Sequence, residues 1–236
     1  MMLGTIVNTL AIVVGSLLGL FFKKGIPKRY NETLIKALGL AVILIGILNA
    51  LEAKNILLLI FSLVIGSILG EFLGIEDRLE RLGDSIENKV GGLFSSKDSS
   101  ISKGFVNTSL IYCVGAMAIM GSLESGLANN HETLYAKAVL DGVSSIAFTS
   151  SLGIGVLFSS ISVFLYQGFI TITASFMKQF LVSSVITEMS SVGGLLILAL
   201  GLNILEVKKI KVGNMLPAIF IPLIFHIIRS IFHFSY

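Results

Sequence analysis

Charge is scarce in this chain of 236 residues: Asp, Glu, Lys and Arg together make up 13%, against roughly 25% in a soluble domain. With 54% hydrophobic residues and a mean hydropathy of +0.93, that deficit excludes an ordinary soluble protein. A lone cysteine, Cys113, excludes an intrachain disulfide and leaves the redox compartment unassigned. The three histidines are scattered, and no HExxH motif, Cys/His cluster, nucleophile elbow or phosphate loop occurs. No metal and no cofactor are therefore expected, and the chain reads as a non-enzyme. Nucleic acid is not expected either. The net charge is +3, but Lys and Arg gather at the ends of apolar segments, where they set membrane orientation.

What the chain has in abundance is long apolar runs. Several reach the ~20 residues needed to cross a ~30 Å hydrocarbon core. The expected fold class is all-α, a polytopic transmembrane helical bundle in contact with the lipid bilayer; a barrel would need short alternating segments. Eight spans can be read, at about 3–22, 34–51, 56–73, 105–123, 134–150, 153–176, 189–205 and 215–231. The first is too long for a signal h-region and lacks a basic n-region, so it is expected to be retained. Between the third and fourth spans, Leu79, Leu82, Ile86, Val90 and Leu93 share one helical face with charges opposite, which predicts an interfacial amphipathic helix. The Ser/Lys/Asp-rich stretch 95–103 then reads as a linker. Three parts follow: helices one to three in 1–75, a cytoplasmic amphipathic helix and linker in 76–103, and helices four to eight in 104–236.

The basic residues set the orientation. With both termini outside, the inner loops hold Lys23, Lys24, Lys28, Arg29 and Lys36, then Arg78, Arg81, Lys89, Lys97 and Lys103, then Lys208, Lys209 and Lys211. Outside remain Lys54, Lys178 and Arg229, with Lys137 just inside the fifth span. The opposite orientation would reverse this asymmetry throughout.

Two internal similarities suggest inverted repeats. LNALEAKNI (48–56) aligns without gaps on LNILEVKKI (202–210), placing span two over span seven and Gly39 over Gly193. Val7-Asn8-Thr9 resembles Val106-Asn107-Thr108 at nearly the offset that relates Glu32-Thr33-Leu34 to Glu132-Thr133-Leu134. The two registers do not describe one simple duplication, and chance similarity between Leu/Gly-rich helices also accounts for them. Each pairs helices an odd number of spans apart, the inverted arrangement that places sites near the midplane.

The segment 134–168 carries the candidate site. An ionisable side chain at membrane depth costs roughly 2.5–3.5 kcal/mol on insertion scales and usually faces a protein interior or an aqueous cavity. Here Lys137 stands one helical turn before Asp141, and Ser145 one turn after it, all on one face. Asp141 could bind a cation, accept a proton, or form a structural pair with Lys137. The small hydroxyls Ser144, Ser145 and Ser150 accompany it, and Gly153 and Gly155 mark either a turn or a broken, re-entrant helix near 150–155. Such breaks present backbone groups to a substrate or ion; close helix packing explains small residues equally well. Gln167 is a candidate pathway residue, whereas Asn8 and Asn107 read as structural. Glu71 and Glu188 read as interfacial.

The combination GTIVNTLAIVVGSLLG, CVGAMAIMGSLESGL, KAVLDGVSSIAFTSSLGIGVLFS, LYQG, SSVGGLLILALGLNIL and VGNMLPA resembles the bacterial inner-membrane proteins of the YqgA/YdfK type, a family classed as a domain of unknown function. The resemblance covers nearly the whole chain and implies the bacterial plasma (inner) membrane. It carries over no activity and no functional residue. The residues themselves suggest a secondary transporter or channel-like protein for a small solute or ion, with its pathway in spans four to six around Asp141. The small number of helices suggests a homodimer, since few helices must both form a scaffold and enclose a path. The rival class is a membrane scaffold or sensor acting through 76–103; an intramembrane enzyme comes third.

Overall fold

The structure, a computed structural model, describes residues 1–23, 28–78, 81, 101–113, 116–178 and 180–231. Most of the amphipathic helix and linker expected over 76–103 lies outside these residues. The described chain forms α1 (Leu3–Lys23), α2 (Lys28–Ala50), α3 (Ile56–Leu73), α4 (Ile101–Cys113), α5 (Ala116–Ala128), α6 (Glu132–Leu152), α7 (Gly155–Met177) and α8 (Ser183–Ile204). A last helix, α9 (Val212–Ile231), has a 3₁₀ stretch at Leu216–Phe220, where Pro217 supplies no amide hydrogen.

Local chemistry sets the helix ends. The Asn55 side chain accepts the Leu58 amide and caps the start of α3. Gly74 ends it in the left-handed region, at φ 60°, where a residue without Cβ is unstrained.

Apolar side chains point outward here. On α1 the exposed face holds Leu3, Leu10, Val14, Leu17 and Phe21, while Gly4, Thr5, Asn8, Gly15, Ser16 and Gly19 are buried with Ile12. On α3 the buried residues are Leu59, Ser62, Gly66 and Gly70, with Ile60, Phe61, Val64, Ile68 and Phe72 outward. Lipid is as apolar as leucine, so small and polar residues take the helix seams.

Five helices among the described residues are long and apolar enough to cross a membrane, and six if α4 and α5, bent by 61°, form one span. That is fewer than the eight read from the sequence. The apolar part of α2 is confined to Ile35–Ala50, and α6 carries Glu132, Lys137 and Asp141 within its 21 residues.

Glycine contacts define the pairings. Gly15 and Gly19 of α1 lie on Gly142, Ser145, Ile146 and Thr149 of α6, so these helices run parallel. Gly39 meets Leu205 while Gly46 meets Gly194 and Leu198, so α2 and α8 run antiparallel. Gly66 meets Ala218 and Gly70 meets Asn214, which makes α3 antiparallel to α9. Most of α8 is buried, and it forms the centre of the bundle.

The residues near 150–155 form a tight turn. Tyr112 meets Ser145 and Glu124 meets Thr133, so α6 runs antiparallel to α4–α5. Gly104 approaches Gly155 and Gly126 approaches Thr171, so α7 runs parallel to α4–α5. Gly153, at φ 85°, therefore joins two antiparallel helices. The bend suggested for this region is found instead between α4 and α5.

Near the C-terminal end of α3, Glu71 accepts from Asn214 at 2.6 Å and pairs with Lys211 at 3.2 Å. The hydrogen bond and charge of Glu71 hold the Lys211 amine above the ordinary lysine value. A raised amine pKa means the contribution is complete below the unfolded value of ~10.4 and is lost at higher pH. The difference in thermal midpoint between wild type and Lys211→Met should therefore shrink above that pH. A difference that persists there would count against the pairing.

A methyl added at Gly15 would overlap the Gly142 carbonyl oxygen, whereas one at Gly168 would meet nothing nearer than the flexible end of Met2, 3.0 Å away. Gly15→Ala should cost about 1–3 kcal/mol through overpacking, and Gly168→Ala under ~1 kcal/mol. Unfolding in mixed micelles checks this, and equal losses would refute the α1–α6 contact.

Candidate functional site

Asp141 is the tenth residue of α6, about 13 Å along the helix at ~1.5 Å per residue. In a membrane-spanning orientation that is close to the midplane of a ~30 Å core. Its i−4 neighbour, Lys137, places Nζ 3.0 Å from Oδ1 and 3.0 Å from Oδ2. From α1, the Asn8 amide donates to Oδ2 at 3.1 Å. Lys137 and Asp141 are 7% and 5% exposed, so neither charge is solvated by bulk water. Removing an ion from water costs several kcal/mol, which only close pairing and additional hydrogen bonds offset. These partners supply both.

Polar groups extend from this pair in two directions. Toward α7, Thr5 Oγ1 lies 3.5 Å from Thr171 Oγ1. Asn8 and Gln167 each stand within about one helical turn of that contact. Asn8 Oδ1 and both amide atoms of Gln167 are buried without partners. Toward α4, the Tyr112 hydroxyl lies 2.9 Å from Ser145 Oγ, and Ser144 donates to it at 3.4 Å. Ser144 also donates to the Asp141 carbonyl at 3.1 Å. Tyr112 is 1% exposed, and its ring stands edge-on to Phe148 with centroids 6.3 Å apart.

Of the residues read from the sequence, Lys137, Asp141, Ser144 and Ser145 therefore share one buried network. Gln167 is buried on the neighbouring helix. The other three lie apart. Ser150 donates to Ala147 O on its own helix at 2.8 Å. It stands about 13 Å further along α6 than Asp141 at ~1.5 Å per residue. Gly153 keeps its backbone groups in the turn, with its amide on Thr149 O at 2.9 Å and its carbonyl accepting from Val156 at 3.3 Å. Gly155 leaves room for Ile101 and Phe105 of α4. These two glycines shape a turn and a close crossing at the far end of α6 from its start.

Asn8, expected to be structural, makes an interhelical hydrogen bond to the Asp141 carboxylate. Tyr112, Thr5 and Thr171 belong to the same polar groups without a motif that marks them in the sequence. The available signal was the polar and small face of α1; which helix it meets is a tertiary fact. Glu188, read as interfacial, is 9% exposed. Among the described residues, no three of His, Cys, Asp and Glu come together as a metal-binding group.

Residues 3–227 match the family described as "Protein of unknown function (DUF554)". The chain belongs to that family. It is 37% identical over 226 residues to "Uncharacterized membrane protein YdfK" of Bacillus subtilis (strain 168), covering 94% of each chain. It is 28% identical over 228 residues to "Uncharacterized protein YqgA" of Escherichia coli (strain K12), covering 94% of this chain and 95% of that one. No solved structure matches it. Family membership and the apolar helices together make this a multi-pass membrane protein.

Removing one member of a buried ion pair leaves the other uncompensated, a loss of about 3–5 kcal/mol. Lys137→Met and Asp141→Leu should each lose that much stability, whereas the double variant should lose less than either single one. A double-mutant cycle read by unfolding in mixed micelles checks this. Additive losses would show that the pair is not coupled.

Proposed function

We propose that this protein is a secondary transporter or channel-like protein for a small solute or ion, and not an enzyme. Its pathway is formed by α4, α5, α6 and α7 with α1, and Asp141 is its coupling or cation-binding carboxylate. One observation carries the reading: a carboxylate near mid-span, held by Lys137 and Asn8, with Asn8 Oδ1 and both amide atoms of Gln167 unpartnered close to the same seam. Intramembrane ionisable residues are costly and mark ion or substrate paths by default. Buried amide groups without partners are costly too, unless water or a ligand occupies them. The pair is nearly sealed, which fits an occluded state that exchanges Lys137 for a proton, cation or solute when the α1–α6 seam opens.

In this reading the protein lies in the bacterial plasma membrane with both termini outside, as the basic loops favour. It works as a homodimer. The antiparallel α2–α8 contact supports an inverted repeat of span two on span seven.

Proteoliposomes holding a lumenal pH dye, given an imposed membrane potential and a panel of monovalent cations, amino acids and sugars, test the proposal. Wild type should show solute- or ion-dependent proton or sodium flux, and Asp141→Asn at least a tenfold reduction. Equal fluxes in the two proteins would remove Asp141 from the mechanism and leave it a pair that braces the helix.

A further inference from the structure

A groove of about 160 Å³ lies between α3, α8 and α9, at the end of the bundle where α3 and α8 begin and α9 ends. Its lining changes character with depth. On α3 the polar Asn55 precedes Leu58, and on α8 the exposed Ser184 precedes the buried Val185. On α9, Arg229 and His226 stand nearer the helix end than Phe225. The mouth is therefore polar and the floor apolar.

The charge presented to this groove is positive. Glu188 also borders it, but its carboxylate is engaged elsewhere: Oε1 accepts the Lys54 and Asn55 amides at 3.1 and 3.0 Å, and Oε2 is buried. What remains is the Arg229 guanidinium in the last turn of α9, with the His226 imidazole one turn before it. A guanidinium binds phosphate through paired, charge-assisted hydrogen bonds. Ser184 and Asn55 add neutral donors; Asn55 Oδ1 already accepts the Leu58 amide, which leaves its nitrogen to donate.

A free anion would leave the apolar floor uncovered. A phosphate joined to hydrocarbon covers both parts. The groove adjoins the outward apolar surface, since Phe225 is 49% exposed and Ile224 and Ile228 beside it are 48% and 49% exposed. Its volume is close to the ~150 Å³ that holds a benzene-sized molecule. It seats a phosphate and the first carbons attached to it, while the rest of a lipid stays in the bilayer. An arginine at the end of a span also lies at headgroup depth. A zwitterionic headgroup would bring a second positive charge beside Arg229, so the sign of the site favours an anionic one.

We propose that this groove binds an anionic phospholipid, its phosphate on Arg229 and one chain against Leu58, Val185 and Phe225. Bound there, the lipid joins the end of α9 to the starts of α3 and α8. The proposal does not depend on transport through the Asp141 network, which lies on α1, α4, α6 and α7.

The test follows thermal unfolding of the full chain in detergent micelles by circular dichroism against increasing dioleoylphosphatidylglycerol. Dioleoylphosphatidylcholine and inorganic phosphate are the comparisons. A ligand that binds the folded state raises the midpoint in a saturable way. Phosphatidylglycerol should do so with an apparent affinity at least tenfold above either comparison. Arg229→Gln removes the charge at an exposed position and should weaken that affinity at least tenfold. Ser184→Phe, also at an exposed position, fills the mouth while keeping Arg229 and should do the same. Lys208→Gln combined with Lys209→Gln removes exposed cations from the loop between α8 and α9 and should leave the affinity at its wild-type value. Absence of a saturable shift would overturn the proposal. Wild-type affinity in Arg229→Gln would do so too, and would leave Arg229 a side chain that snorkels to the interface. An equal response to phosphatidylcholine means apolar filling alone, and one to inorganic phosphate means a free anion; either refutes the lipid site. An equal loss in the Lys208/Lys209 variant refutes it as well, because general surface charge then explains the binding. Asp141→Asn should respond to phosphatidylglycerol as wild type does, which separates this proposal from the flux experiment.

Discussion

An apolar side chain gains little by leaving lipid for a protein interior, and the folding of this chain depends on that constraint. Helices in such a medium are held by close approach and by polar contacts that hydrocarbon cannot satisfy. The buried faces accordingly carry what a soluble core would exclude: Gly15 and Gly19 against α6, Gly46 against α8, Gly66 and Gly70 against α9. Leucines, isoleucines and phenylalanines are displaced to the outside, where α1, α3 and α7 expose them in rows. Adding a methyl group to a seam thus does more harm than removing several from the surface.

The same close approach shapes the chemistry of Asp141. A seam narrow enough for glycine leaves no bulk water, so the carboxylate must be settled by Lys137 and Asn8. Both partners are supplied by the helices that form the seam, and the ion pair and the glycine contact therefore stabilise one another. Tyr112 ties this seam to α4 through Ser145.

Glu188 meets the burial problem differently. Its first oxygen is satisfied by backbone amides of the α2–α3 turn, which holds that turn against α8. Its second oxygen is buried without a partner. One carboxylate is closed by its neighbours and the other is half closed.

Much of this was legible in the residues themselves. Hydropathy showed an all-helical membrane bundle, because a backbone in oil must satisfy its own hydrogen bonds and a helix does so within one segment. Spacing alone showed that Lys137, Asp141 and Ser145 share a face, because 3.6 residues per turn is a local property. The helices that pass as spans on length and composition are fewer than the eight read from the sequence, because α2 is apolar only over Ile35–Ala50 and α6 carries Glu132, Lys137 and Asp141. What the linear order does not contain is which helix lies beside which. That Asn8 reaches Asp141 across 133 positions, that the bend falls at α4–α5 while Gly153 makes a turn, and that Glu188 is buried under the α2–α3 turn are consequences of packing. Packing is decided by the sum of many small close contacts between surfaces that no single segment specifies.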